Sequence, residues 1–167
     1  YTRKLGEIYF RRGENDKALE VLKKAFDLLQ FPYPFSLWET RVGIIKQLGR
    51  QILQRLSLST FIPAKRKNSS HDKEVSRIME SVAWIDIFIN QERLAYDILT
   101  GLNYAEKMQN PNKMIMAYSG FAFLLNILSM HRVAAYYHHL SEKMLNDAQD
   151  DNTLATFYVC KATHYDY

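Results

Sequence analysis

Apolar residues recur at intervals of three and four along most of this chain, and this spacing constrains the fold more than any other feature. Residues 17–30 are an example, because Ala18, Leu22, Ala25 and Leu29 would share one face of a helix. No segment alternates strictly enough to predict a strand. Four prolines and six glycines among 167 residues are also few for a turn-rich β fold. The sequence therefore predicts an all-α fold.

We expect about eight helices, separated by short breaks. Gly13 suits the end of the first helix, and Asn15 or Asp16 is predicted to cap the second. Pro32 stops the second helix, because proline disfavours helical backbone in the residue before it. The predicted helices span residues 3–12, 17–30, 36–56, 73–90, 92–109, 112–129 and 131–147, and a last one follows a cap at residues 150–152.

The third predicted helix is amphipathic and basic. Its apolar stripe consists of Trp38, Val42, Ile45, Leu48, Ile52 and Leu56, and its cations are Arg41, Lys46, Arg50 and Arg55. We expect this helix to pack against the next one as a hairpin, through the isoleucines Ile45, Ile52, Ile78 and Ile85. Residues 59–73 lose the apolar period and contain Lys65-Arg66-Lys67, which predicts a mobile basic loop.

Charge is spread unevenly along the chain. Residues 1–80 hold 16 Lys and Arg against 9 Asp and Glu, a net of +7, whereas residues 81–167 hold 6 against 9, a net of −3. Such asymmetry indicates a surface for partners or neighbouring domains, or a solvated face without a function. A nucleic-acid-binding helical domain that uses the basic half is the alternative of a different class. In the basic helix and loop from Arg41 to Lys73, however, only Phe61 lies among the charges as a stacking residue.

The first helical pair carries a pattern of small and large residues that is typical of a repeat. The positions are Leu5, Gly6 and Tyr9 on one helix and Ala18, Leu22 and Ala25 on the next. Glycine and alanine are expected where two helices approach closely. This spacing resembles the tetratricopeptide family, whose repeats stack helical hairpins into a solenoid. A second copy of the pattern is formed by Phe121, Ala122, Leu125, Ala134 and Ser141.

The resemblance implies a single helical-repeat domain over residues 1–167, with one irregular hairpin and its long loop. Family members commonly bind peptides in a concave groove. The matching positions here are Arg3, Glu7, Ser119 and Phe123. Arg3 would supply a cation, whereas Glu7 would repel a peptide carboxylate. An apolar groove could instead hold a helix from a partner or from the parent chain.

A narrower resemblance covers residues 29–63, beginning with Leu29-Gln30-Phe31-Pro32-Tyr33-Pro34 and ending with Phe61-Ile62-Pro63. It is similar to the helical-repeat region that follows the AAA-type module of large signalling ATPases, some of which carry cyclase or kinase domains.

The chain starts with Tyr1 and shows no signal-peptide pattern, so we expect a cytoplasmic fragment of a larger protein. No glycine stands in phosphate-loop spacing. The nucleotide chemistry would therefore lie in the host protein.

Three groups of residues invite a chemical or membrane function, and each also fits ordinary packing. His131, His138, His139 and His164 are spaced too unfavourably on helices to share a metal. Cys160 and His164 lie one turn apart, which is a catalytic pair only if the thiol is accessible and activated. Residues 114–130 are apolar enough for a short membrane span, but a buried repeat helix fits them equally well.

The sequence thus predicts a non-catalytic scaffold without cofactors or metal. Its expected partners are proteins, peptides or other domains of the parent chain, and neither a membrane nor a nucleic acid is the favoured partner.

Overall fold

The computed structural model describes residues 1–56, 70–147 and 150–165 of the chain. The regular elements of this part are helices, without a strand, which confirms the predicted all-α class. The helices are α1 (Thr2–Arg11), α2 (Asn15–Leu28), α3 (Leu37–Leu56), α4 (Ser70–Ile89), α5 (Gln91–Met108), α6 (Pro111–Ile127), α7 (His131–Lys143) and α8 (Asp151–Tyr165), with a 3₁₀ turn at Leu145–Asp147.

Most helix ends follow from local chemistry. Gly13 has a φ of +76° after α1, and the amide of Glu14 donates to the carbonyl of Tyr9, which forms a Schellman ending. The Asn110 side chain accepts from the Lys113 amide at the start of α6. Asp150 caps α8 through the Thr153 amide, as the sequence predicts.

Several boundaries differ from the sequence prediction, and one of them is the end of α7 at Lys143 rather than at residue 147. The N-cap of α2 is Glu14, which makes no side-chain capping bond, so the predicted cap at Asn15 or Asp16 is wrong. Ser70–Ile89 is helical, so the end of the predicted loop, residues 70–73, belongs to the first turn of α4. Asp72 suits that turn, because a carboxylate stabilises a helix N-terminus. Residues 57–69, which hold the rest of the predicted loop, lie outside the described residues.

The described chain divides into two compact units, and the division falls within α5. Of the described residues, the first unit comprises 1–55 and 70–97, and the second comprises 56, 98–147 and 150–165. In the first unit α4 packs on the α1–α2 pair. Its core residues are Ala18, Leu22, Ala25, Phe26, Val75, Ile78, Val82 and Ile85.

The second unit is organised around α6, which contacts both α7 and α8. Its apolar side chains are buried on most sides, as expected for a helix held between two neighbours. The core residues of this unit include Ile115, Phe121, Ala122, Leu125, Ala134, Tyr137 and Phe157. Within the described ranges, no helix has the length and hydropathy required to cross a bilayer.

Candidate functional site

The residues of the first repeat pattern meet at the contact between α1 and α2. Ala18 and Leu22 are fully buried, and Gly6 is buried against them. A Cβ atom on Gly6 would lie 2.7 Å from both Cγ and Cδ2 of Leu22. At position 6, where α1 lies close to α2, only glycine therefore fits without movement of Leu22. Ala25 is also buried, whereas Leu5 and Tyr9 are partly exposed.

The residues of the second pattern are buried in the other unit, at the contact between α6 and α7. They are Phe121, Ala122, Leu125, Ala134 and Ser141. His138, which stands where a large apolar residue is usual in the repeat, is buried as well, and its Nε2 atom lies 3.5 Å from Nδ2 of Asn126. The assignment of both patterns to one repeat family stays a prediction.

The positions proposed for a peptide groove have different surroundings. Arg3 is bound by two carboxylates, Glu7 on its own helix and Glu74 on α4, with 2.8 Å between Arg3 Nε and Glu74 Oε1. Phe123 is partly exposed. Ser119 is fully buried, and its hydroxyl donates to the Ile115 carbonyl at 2.8 Å. Ser119 is thus closed to a peptide, because helix packing occupies its surroundings.

Among the described side chains considered for catalysis or metal binding, the Cys160 thiol is not activated. Burial raises the pKa of the Cys160 thiol to about 11, so it is protonated at neutral pH. His164 is part of α8, but its side chain is outside the described residues. No three His, Cys, Asp or Glu side chains in the described ranges are grouped as metal ligands would be.

A capping box begins α3. The Glu39 amide donates to Ser36 Oγ at 3.3 Å, and Glu39 Oε2 accepts from the Ser36 amide at 3.2 Å. The hydrogen bond from Ser36 lowers the pKa of Glu39. The Ser-Leu-Trp-Glu sequence carries this signature, and its recognition would have fixed the start of the helix.

A buried polar cluster fixes the segment that leads into α3. It consists of Tyr33, Asp86 on α4, and Arg93 and Asp97 on α5. Arg93 forms a two-pronged ion pair with Asp86, with distances of 2.6 and 2.5 Å. The Tyr33 hydroxyl donates to Asp97 Oδ1 at 2.6 Å. These bonds tie the chain before α3 to two core helices, and the Tyr33 ring also stacks on Phe26 with centroids 4.4 Å apart.

The charges of this cluster are unbalanced, because it contains one guanidinium and two carboxylates. Asp86 takes both ion-pair bonds, while Asp97 Oδ2 has no hydrogen-bond partner among the described residues. Burial, together with the neighbouring Asp86, raises the pKa of Asp97 well above its usual value. We conclude that Asp97 keeps a proton to a higher pH than an exposed aspartate does.

The face of α3 that turns inward is polar. Thr40 and Gln51 are 2% and 4% exposed, and Gln47 is buried with them. Gly43 lies on the same face, where a Cβ atom would be 2.7 Å from Cε2 of Tyr96 on α5. These positions are three and four residues apart, so they form one stripe along the helix.

The opposite face of α3 is apolar and exposed. Trp38, Ile45 and Ile52 are 75%, 71% and 57% exposed. The prediction that Ile45 and Ile52 pack on Ile78 and Ile85 is therefore wrong, although Ile78 and Ile85 are indeed buried. We call this surface the α3 outer face; it consists of Trp38, Val42, Ile45, Leu48, Ile52 and Leu53.

Cations border the α3 outer face. Lys46, Arg50 and Arg55 are exposed next to it. Arg41 is held by Glu92 of α5 through two bonds of 2.8 and 2.9 Å, which lower the pKa of Glu92. This ion pair joins α3 to α5, as does the contact between Gly43 and Tyr96. Charge and apolar surface are thus combined on one side of a helix, an arrangement that can bind another macromolecule.

Comparison of the chain with protein-family models, with curated proteins and with solved structures gives no match.

Proposed function

We propose that this chain is a non-catalytic helical scaffold that makes protein contacts within a larger protein. The observation that carries the proposal is the α3 outer face. Six large apolar side chains are exposed there on one helix. Each is 39–75% exposed, and such a group of large apolar side chains on one helix face indicates binding, whereas single exposed apolar residues do not.

The way in which α3 is held supports a permanent role for this face. The helix begins with a capping box, and the buried cluster of Tyr33, Asp86, Arg93 and Asp97 fixes the segment before it. Its inward side fits Tyr96 only because position 43 is glycine. An apolar helix held in this orientation pays a hydration cost unless another surface covers it.

The sequence resemblance suggests the setting. The segment at residues 29–63 resembles the helical-repeat region of large signalling ATPases, and in that setting the chain would connect or regulate catalytic domains. We propose the tetratricopeptide-like solenoid as the architecture in which the two units take part. The raised pKa of Cys160 supports the non-catalytic part of the proposal, because a thiol that stays protonated is a poor nucleophile.

Photo-crosslinking at Ile45 in the full host protein tests this function. A photoreactive phenylalanine analogue at position 45 should crosslink to protein, whereas the same analogue at Val159, an exposed apolar position on α8, should not give that product. Crosslinks from position 45 to DNA or RNA would favour the nucleic-acid alternative. The absence of any product specific to position 45 would contradict a role of this face in binding.

A further inference from the structure

Four residues of the α3 outer face, together with Gly49, follow a seven-residue spacing that predicts the shape of what covers this face. Steps of four and three alternate through Trp38, Val42, Ile45, Gly49 and Ile52. This is the spacing of a coiled-coil seam, in which every apolar position faces a partner helix. Trp38, Val42, Ile45 and Ile52 are all exposed in the structure. The α3 half of such a seam is therefore present, and the described residues leave its apolar side chains exposed.

Gly49 makes a gap in this seam. A Cβ atom at position 49 would have nothing within 4 Å, in contrast to position 43 on the inward side. The side chains of Ile45 and Ile52 stand on either side along the helix. A large side chain of a facing helix can enter such a gap, as a knob enters a hole. The gap therefore fits a side chain of a facing helix.

The charges that flank the seam specify the chemistry of that helix. In a coiled coil, the positions next to the seam determine the choice of partner. Here these positions hold Glu39, Arg41, Lys46, Leu48, Leu53 and Arg55. Glu39 lies at the helix start, and Arg41 is paired with Glu92 of α5. Lys46 and Arg55 are exposed along the rest of the seam, so these flanks are basic, and a second copy of this chain would bring like charges together.

We propose that the α3 outer face docks an amphipathic helix of a partner protein that carries Asp and Glu beside its apolar seam. This inference rests on the proposed function and adds the chemical class of the partner. The expected complex is a two-helix seam along α3, which has 20 residues and a length of about 30 Å.

The test uses two synthetic amphipathic peptides of three heptads with the same apolar seam. One has Glu at all flanking positions and the other has Lys. Binding of each labelled peptide to the full chain is followed by fluorescence anisotropy. We expect the Glu peptide to bind at least about tenfold more tightly than the Lys peptide, a difference that corresponds to about 1.4 kcal/mol.

Two variants of the chain make the result specific to this face. Ile45→Asp should weaken the binding of the Glu peptide by at least about tenfold, because it places a carboxylate in the seam. Val159→Asp, on α8, should leave binding unchanged. Lys46→Glu should reduce the preference for the Glu peptide without removing the seam, and it serves as the second readout if Ile45→Asp changes the circular dichroism of the chain.

Several results would overturn the inference. Equal binding of the two peptides, or binding that Ile45→Asp leaves intact, would exclude an acidic helix on this face. Binding to vesicles of phosphatidylcholine and phosphatidylserine that Ile45→Asp abolishes, with no peptide binding, would assign the face to a membrane. Self-association abolished by Ile45→Asp would assign it to a second copy. Protein crosslinks from position 45 together with equal peptide binding would overturn this inference alone and keep the proposed function.

Discussion

Replacement of Gly43 by alanine is predicted to loosen the contact between α3 and α5. A Cβ atom at this position would lie 2.7 and 2.8 Å from two ring carbons of Tyr96, Cε2 and Cδ2. Such distances are too short for carbon atoms, so either the ring or the helix must move. Tyr96 is buried, and its ring meets Tyr33 edge to face at a centroid distance of 5.7 Å. Movement of the ring would therefore disturb the segment that leads into α3.

The magnitude follows from two opposing effects. Alanine in place of glycine inside a helix stabilises it by about 1 kcal/mol. Overpacking of a filled contact destabilises by about 1–3 kcal/mol. Gly49 is in the same helix, and a Cβ atom there would meet nothing within 4 Å, so Gly49→Ala should show the favourable effect alone. We expect Gly43→Ala to be less stable than Gly49→Ala by about 1–3 kcal/mol.

Urea unfolding followed by circular dichroism measures this difference directly. The two variants have the same composition, so any effect on the unfolded chain is nearly shared. An equal gain in the free energy of unfolding from both substitutions would refute the reasoning, because Gly43 would then not face Tyr96. A loss confined to Gly49→Ala would reverse the assignment of the two faces of α3.

Three further predictions concern the cores and the helix ends. Asp97→Asn should be more stable than the wild type at pH 8 and similar to it near pH 4. The pKa of Asp97 is raised in the folded state, so the wild type loses stability as the pH rises above the unfolded pKa of about 3.9. Parallel urea midpoints of the two proteins from pH 4 to pH 8 would contradict this. Ala18→Leu should destabilise by about 1–3 kcal/mol in urea unfolding, because Ala18 is fully buried beside Gly6; unchanged stability would show that the packing at α1 and α2 is misjudged. Asp150→Ala should cost about 0.5–2 kcal/mol through loss of the bond of 2.8 Å from the Thr153 amide; a thermal midpoint equal to that of the wild type would contradict a capping role.

The helices and several of their ends could be predicted from the sequence because their causes are local. The spacing of apolar residues gives the helices, Gly13 gives a left-handed ending, and Asp150 gives a cap. The capping box of Ser36 and Glu39 is equally local, and it was missed although the residues stand in the required spacing.

The orientation of α3 could not be predicted, because periodicity gives the direction of an apolar stripe but not the surface that it meets. The amphipathic pattern predicts that Ile45 and Ile52 turn toward the core, as is usual for a surface helix. In the structure, Thr40 and Gln51 are buried instead. The buried cluster could not be predicted either, because Tyr33 and Asp97 are 64 positions apart in the sequence. Pro32 and Pro34 already account for the break between α2 and α3, so the local sequence gives no sign of the cluster.

Thiol labelling on α3 tests the central claim, which is that the helix turns its apolar face outward. In a Cys160→Ala background, cysteine is placed either at Ile45 on the outer face or at Gln47 on the inward face. We predict that the cysteine at position 45 reacts with a thiol reagent under native conditions, and that the one at position 47 reacts at least about tenfold more slowly because it requires local opening. Faster labelling at position 47 than at position 45 would show that the polar face is outside, and would contradict the account.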